Sequence, residues 1–244
     1  MAIDRRTLLQ LGTLAGASLA LPSFANTAAP QQQRILVRNA TLITMDPQSK
    51  ELYNADVMIE QGVIRQIGKA LPDGAAEVID ATDMIVIPGL VDSHWHLWNS
   101  LLRSSAPVPG GPAFFVTQQA TSKRFSAALY GLSVRLGLAE AVNAGFTTVN
   151  SWSHNLRSPE YAQAELQALT NSGLRARLWY GYAQDLAASS AMDYQDIQKV
   201  QAQFKGAAYH RIDLGLAIRG PERTEAAIWQ EEFAFAKTES PLVS

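Results

Sequence analysis

Strand-like apolar segments alternate with helix-like segments after Pro88-Gly89, and this alternation constrains the fold more than any other feature. The strand-like segments are residues 90–96, "FTTVNSWS", "LRARLWYGY" and "RIDLGLAIRG". The first helix-like segment covers about 123–144, where leucines and small residues recur at helical spacing. Apolar strands separated by helices are typical of parallel βαβ units. The sequence therefore predicts an α/β fold with four such units.

Three further helices are expected between and after these strands. Ser158-Pro159 indicates the start of one, because Ser is a frequent cap and Pro favours the first helical position. The segments "MDYQDIQKVQAQF" and "PERTEAAIWQEEFAFAK" predict the other two, and "SSAPVPGGPAFF" predicts a loop.

The preceding residues, 34–85, have a different pattern. Segments rich in Val and Ile are separated by turn signals at Asp46-Pro47, Gln61-Gly62 and Pro72-Asp73-Gly74. No helix-length periodic segment occurs before residue 120. We expect a small β module over 34–85, with the βα units occupying 86–244.

The N-terminal residues have the pattern of an export signal. Arg5-Arg6 precede an apolar stretch from Leu8 to Leu21, and Ser23-Phe24-Ala25 supplies small residues for cleavage. The start resembles a bacterial twin-arginine signal. We expect a signal peptide over 1–25, a linker over 26–33, a periplasmic protein and no stable membrane anchor. An ordinary buried or amphipathic N-terminal helix is the alternative.

Composition limits the kind of partner. The chain has 244 residues, 47% of them hydrophobic, which is enough for a substantial core. Its net charge is −2 and its basic residues are scattered, so we expect no nucleic-acid partner. Because there is no cysteine, any metal must be held by histidine and carboxylate side chains.

Two histidines at the end of the first βα strand are the candidate metal ligands. In a strand, residues two apart point to the same side, so His94 and His96 share a face with Asp92. If the strand belongs to a parallel barrel, His96 lies near the C-terminal rim, where barrel active sites occur. Two imidazoles there can bind one divalent ion from one side.

The segment "PGLVDSHWHLWNSLLR" resembles the first metal-binding strand of the amidohydrolase superfamily, in the branch of cytosine, guanine and S-adenosylhomocysteine deaminases and triazine hydrolases. "LAEAVNAGFTTVNSWSHN" is similar to that branch's first helix and second strand. The resemblance covers nearly all of 34–244. It implies half of a (β/α)8 TIM barrel, namely the first four βα units, preceded by part of a composite β-sandwich.

The resemblance implies a metal-dependent hydrolase of non-peptide carbon–nitrogen bonds in small molecules, either a deaminase or a cyclic amide or amidine hydrolase. His94 and His96 match the first two metal ligands, and activated water is the implied nucleophile. The superfamily's two-metal members place a carboxylated lysine on strand four, whereas "IDLGLAIRGPE" has none. We therefore expect one divalent ion, Zn²⁺ or Fe²⁺.

Other residues are weaker candidates for contacts with the substrate or with the metal ligands. They are Asp92 beside the histidines, Trp98 near a pocket mouth, His154 after strand two, and Arg219 at the end of strand four. Arg219 could bind an anionic substrate group or pair with a carboxylate, and Trp98 could simply pack. His210 is expected at the surface.

The superfamily's remaining ligands follow strands five, six and eight, for which this sequence has no counterpart. We therefore expect a truncated product or partial gene model with negligible hydrolase activity by itself. A half-barrel could also close by pairing with a second copy. The remaining alternatives are a non-catalytic periplasmic binding module and an open doubly wound sheet, which the absence of a glycine-rich phosphate loop disfavours.

Overall fold

The computed structural model describes residues 34–49, 51–103, 105, 111, 113–204 and 210–239. The predicted signal peptide and linker, residues 1–33, lie outside these described residues. The chain separates into two compact units, of which the first ends at Ile87 and the second begins at Pro88.

The first unit is a five-stranded sheet. Its strands are β1 (Arg34–Leu42), β2 (Leu52–Glu60), β3 (Val63–Gly68), β4 (Glu77–Asp80) and β5 (Ile85–Val86). The order is β3-β2-β1-β4, and β5 pairs with the far end of β1. The β1–β2 and β2–β3 pairs are antiparallel, whereas β4 and β5 run parallel to β1.

The β2–β3 hairpin shows how the predicted turns shape this sheet. Gln61 and Gly62 both have positive φ, 53° and 75°, as a type I′ turn requires. On β2, the buried Asp56 carboxylate accepts hydrogen bonds from the backbone N–H groups of Asn39 and Leu71, both at 2.9 Å. The small β module expected from the turn spacing is therefore present.

The second unit is built on a four-stranded parallel sheet. Its strands, in spatial and chain order, are β6 (Leu90–Trp95), β7 (Phe146–Ser153), β8 (Arg175–Tyr180) and β9 (Ile212–Leu216). The predicted α/β fold with a parallel sheet is confirmed. The strand order has no reversal, whereas a doubly wound sheet requires one.

Helices connect the strands in the predicted alternation. A short 3-10 helix (Leu97–Leu102) follows β6, and the α-helices are α1 (Phe114–Ser122), α2 (Ala127–Asn143), α3 (Pro159–Ser172), α4 (Tyr194–Gln203) and α5 (Ala226–Glu239). None of these described helices is both long and apolar enough to span a bilayer.

Helix α1 was missed, because its sequence lacks an apolar stripe. Its buried residues are Gln118 and Ser122, which lie one turn apart and are both polar. The expected loop therefore ends earlier than predicted, and α2 begins at Ala127 rather than near residue 123. The Ser126 hydroxyl caps α2 by accepting a hydrogen bond from the Leu129 N–H at 3.2 Å.

The two faces of the parallel sheet have different environments. Along β7, the side chains of Val149, Ser151 and Ser153 are buried, whereas Asn150 and Trp152 on the alternate face are partly exposed. The buried face continues the core formed with α2 and α3. Side chains on the opposite face of β7 therefore remain partly accessible to solvent.

Candidate active site

His94 and His96 are brought together at the C-terminal end of β6. Their Nε2 atoms are 3.3 Å apart, and their rings meet edge to face with centroids 4.8 Å apart. The expectation that the two imidazoles project together is therefore met. The His94 ring also packs against the Trp152 ring, at a centroid distance of 4.7 Å.

This pair fits a divalent metal ion by its donor chemistry and spacing. Two imidazole nitrogens bound to zinc in tetrahedral geometry, each with a bond of about 2.0–2.1 Å, would be roughly 3.3 Å apart. That value matches the observed separation. Within the part of the chain that the structure describes, however, no group of three or more His, Cys, Asp or Glu side chains is arranged to hold a metal. The described residues thus bring two candidate ligands together.

The backbone of β7 orients His96. The His96 Nδ1 atom lies 3.4 Å from the carbonyl oxygen of Trp152. A proton on Nδ1 that is donated to this carbonyl leaves the lone pair on Nε2, directed toward His94. Burial lowers the pKa of His96, and the nearby His94 lowers it further. The neutral ring, which is the form that binds metals, is therefore favoured.

His154, which follows β7, lies directly behind His96. Their ring centroids are 4.3 Å apart, and the Trp98 indole N–H donates to His154 Nδ1 at 3.4 Å. The His154 Nδ1 atom also lies 3.3 Å from the Trp152 carbonyl oxygen. Because an indole nitrogen only donates, the bond from Trp98 requires an unprotonated Nδ1, which cannot also donate to that carbonyl. Burial lowers the pKa of His154 to about 3, so this ring is neutral at pH 7.

A cavity of about 420 Å³ opens beside the histidine pair. It is bounded by the end of β6, the 3-10 helix and α1, and its volume falls in the range that small-molecule sites occupy. Its polar lining includes the two histidines together with Asn99, Thr117 and Gln118. The sequence predicted none of the last three as site residues: Asn99 lies on the 3-10 helix, and Thr117 and Gln118 lie on α1, a helix that the sequence did not predict.

The structure places Trp98 in the core rather than at a pocket mouth. It is only 1% exposed, and its ring stacks on Tyr130 and meets Phe125 edge to face. Its contact with the site passes through His154. Asp92 braces the end of β6, since its Oδ1 accepts the His94 backbone N–H at 3.0 Å.

Arg219 has the second of its two predicted roles, that of pairing with a carboxylate. It is 2% exposed, and its Nη2 lies 2.8 Å from Oε1 of Glu232, which is fully buried. Its guanidinium also donates to the backbone carbonyls of Ala187 and Ser190. Arg219 does not line the cavity beside the histidines. His210 is exposed, as expected.

A buried carboxylate supports β7, the strand that precedes His154, and no motif in the sequence predicted it. Glu165 on α3 is fully buried and accepts hydrogen bonds from the hydroxyls of Ser151, Ser153 and Tyr130, at 2.5, 2.7 and 2.7 Å. Burial raises the pKa of Glu165, and the three hydroxyl donors oppose that rise. The cluster ties β7 to α2 and α3.

Comparisons with known proteins identify related enzymes. No family model matches the chain. It is 44% identical over 72 residues to 5′-deoxyadenosine deaminase of Methanosarcina barkeri, covering 30% of this chain and 17% of that protein. It is 29% identical over 175 residues to 5-methylthioadenosine/S-adenosylhomocysteine deaminase of Pyrococcus furiosus, covering 70% of this chain and 37% of that protein.

Solved structures agree at the level of the fold. Atrazine chlorohydrolase from Arthrobacter aurescens TC1, complexed with zinc, superposes with a TM-score of 0.65 at 24% identity, over 82% of this chain and 50% of that one. An amidohydrolase from a Sargasso Sea environmental sample gives a TM-score of 0.65 at 20% identity, over 86% of this chain and 52% of that one. The predicted resemblance to the amidohydrolase superfamily is confirmed. These amidohydrolase relatives are enzymes. This chain spans about half the length of the matched structures and a smaller share of the length of the matched deaminases.

Proposed function

We propose that this chain supplies the first two metal ligands, His94 and His96, of a hydrolase that breaks non-peptide carbon–nitrogen bonds in small molecules. The single observation that carries the proposal is the 3.3 Å separation of the two Nε2 atoms at the C-terminal end of β6. The relatives named as deaminases support the reaction class.

The chemistry requires one divalent ion, Zn²⁺ or Fe²⁺. When bound, such an ion would activate water as the nucleophile near neutral pH, because coordination lowers the pKa of water to about 7. Zinc in a related hydrolase structure supports this ion type. The residues of this chain act by keeping the two imidazoles convergent and by favouring the neutral form of His96, whose pKa burial lowers. The Trp152 carbonyl orients His96, and Asp92 braces the backbone at His94.

A catalytic zinc site has three protein ligands as a rule, and the described residues bring two. We therefore propose that the remaining ligands come from outside the described residues. We also propose that β6–β9 form half of a closed eight-stranded barrel, and that β1–β5 form part of a sandwich. The monotonic strand order and the coverage of about half of each matched structure support this arrangement.

Zinc titration by calorimetry tests the metal ligands. Replacing either histidine (His94→Ala or His96→Ala) is expected to weaken Zn²⁺ binding at least tenfold, because each removes one of two converging donors. The exposed His210 provides a matched control, and His210→Ala should leave zinc affinity unchanged. Equal zinc affinity in all four proteins would refute the proposal.

Turnover and assembly are measured on the same preparations. Ammonia release from 5′-deoxyadenosine, the substrate named for one relative, is expected to be negligible for this chain by itself, because two imidazoles leave a metal weakly held. If sedimentation shows a dimer and turnover is high, the result would indicate that a second copy of the chain closes the barrel and supplies the third metal ligand.

The export prediction is a separate proposal. We propose that residues 1–25 direct the protein to the periplasm by the twin-arginine route, on the basis of Arg5-Arg6 and the apolar stretch that follows them. Replacing both arginines by lysine should retain the protein in the cytoplasmic fraction. Unchanged periplasmic recovery would contradict this route.

A further inference from the structure

The outer face of α2 is apolar, although the described residues leave it open to solvent. The inner face of this helix packs into the core through Tyr130, Val134 and Ala141. The large apolar residues on the opposite side are 38–51% exposed, namely Leu129, Leu132, Leu136 and Val142. A helix that is apolar all round is normally buried, so this outer face indicates a partner that covers it.

The next two helices show that an apolar outer face is specific to α2. The exposed residues of α3 and α4 are mostly polar and include Gln163, Gln167, Asn171, Gln195, Gln198 and Lys199. A groove of about 760 Å³ lies between α2 and α3, and its apolar lining comes mainly from α2, through Leu132, Leu136 and Val142. The partner is therefore expected to contact α2 first.

The spacing of the exposed residues indicates what kind of partner fits. Residues three and four apart in turn are exposed along the outer face, namely Leu129, Leu132, Leu136, Ala139 and Asn143. This is the a/d spacing of a two-stranded coiled coil, in which a second helix packs along the seam. Because α2 is already folded within the α/β unit, a partner helix meets a preformed seam. Helix α2 of a second copy carries the same seam and matches it in a two-fold symmetric pair.

The charges beside this seam favour a parallel pair. Arg135 precedes the a position at Leu136 and so lies at g, whereas Glu140 follows the d position at Ala139 and so lies at e. In a parallel pair, position g of one helix lies beside position e of the following heptad of the other, so Arg135 of each copy meets Glu140 of the other. An antiparallel pair would instead place the two Arg135 side chains beside each other.

Both side chains are available for these ion pairs. Arg135 is exposed, and it has no acidic partner within the described part of the chain. The Glu140 carboxylate is held in place by both Nη atoms of Arg103, and the Glu140 side chain is still 36% exposed. At the last a position, Asn143 would face Asn143 of the other copy, and such a polar pair fixes the register of two helices. Charge complementarity therefore supports a second copy as the partner.

We propose that the outer face of α2 is a self-association surface, on which α2 of a second copy packs in parallel about a two-fold axis. The inference goes beyond the proposed function, because this surface uses neither the histidine pair nor the edge strands β6 and β9. A dimer of this kind adds no ligand to the metal site. It therefore differs from the closure of a barrel by a second copy.

Sedimentation velocity of the 244-residue chain, at about 1 to 100 μM, tests the proposal. We expect the wild type to form a reversible dimer. Leu132→Glu should weaken dimerisation at least tenfold, because two carboxylates would then face each other within the apolar seam. Phe233→Glu is the matched control, since Phe233 is 39% exposed on α5 and lies outside the seam. This control should dimerise as the wild type does.

Exchange of the flanking charges provides a gain of association that misfolding cannot produce. Arg135→Glu and Glu140→Lys should each weaken dimerisation about tenfold, because each substitution creates two like-charge pairs per dimer. An equal mixture of the two variants should recover the wild-type affinity, because both pairs across a mixed dimer then join opposite charges.

The outcomes separate this inference from the proposed function. A wild type that stays monomeric, or a Leu132→Glu variant that dimerises as tightly as the wild type, would overturn the inference. Unchanged dimerisation of both single charge variants would overturn the parallel pairing. Zinc affinity that depends on His94 and His96 would leave the proposed function intact in each case. Conversely, a dimer that responds to these variants but binds no zinc would support the surface and count against the metal site.

Discussion

Replacing Glu232 by Gln should show that Arg219 is a structural residue. The Glu232 carboxylate accepts three hydrogen bonds: Arg219 Nη2 at 2.8 Å, the Arg219 backbone N–H at 3.2 Å and the Met192 backbone N–H at 3.2 Å. Glutamine keeps one oxygen but turns an N–H₂ group toward at least one of these donors. It also leaves the guanidinium, which is 2% exposed, without a counter-charge.

Removing one partner of a buried ion pair costs about 3–5 kcal/mol. The carbonyls of Ala187 and Ser190 still accept from the guanidinium, so we expect a loss near the lower end, about 3 kcal/mol of the free energy of unfolding. Urea unfolding followed by circular dichroism measures it.

The exposed pair of Arg177 and Asp213 provides the control, since the Asp213 side chain is 69% exposed. Asp213→Asn should change the free energy of unfolding by less than about 1 kcal/mol, as surface ion pairs do. If Glu232→Gln costs no more than Asp213→Asn, the buried pair is not what fixes Arg219, and a ligand-binding role for Arg219 would be open again.

Two further perturbations test other parts of the second unit. The ion pair between Asp185 and Arg157 holds the pKa of Asp185 at about 2. The contribution of this pair to the free energy of unfolding is therefore present above about pH 4 and is lost as the pH falls from about 4 to 2. Asp185→Asn should abolish this part of the acid sensitivity, which amounts to about 1 kcal/mol after screening by solvent. Urea unfolding at pH 2 to 5 measures it. An unchanged dependence of stability on pH in the variant would contradict the role given to the Asp185–Arg157 pair. Gly137→Ala should destabilise the protein by about 1–3 kcal/mol, because the new Cβ would lie 2.7 Å from Leu97 Cδ2. This loss is expected despite the gain in helix propensity. A higher melting temperature of the variant would contradict the prediction and show that the 3-10 helix moves aside easily.

The elements with strong local signals were predictable. "FTTVNSWS" coincides with β7, and Pro159 opens α3 as its position indicated. Even there the detail differs, because the Ser158 hydroxyl donates to the Glu160 carboxylate rather than capping the helix. Local sequence thus predicts where an element lies better than it predicts which hydrogen bond closes its end.

The polar wall of the cavity was not predictable, because burial there follows no apolar pattern. Gln118 is buried on a helix whose Phe114 and Phe115 are 51% and 71% exposed, the reverse of what hydrophobic periodicity assumes. The same limit explains Glu165, a charged residue at a core position whose three hydroxyl partners come from two separate elements.

The sequence by itself determined the order of strands and helices and placed His94 and His96 on one side of a strand, because alternation along a strand is a local property of the backbone. Only the tertiary structure decided which residues these histidines contact. The crossover helices bring β7 beside β6, so that Trp152 orients His96, and α1 brings Gln118 to the same cavity, whereas Arg219 is committed to Glu232. Such partners are 13 to 56 residues apart in the chain, and packing rather than local preference joins them.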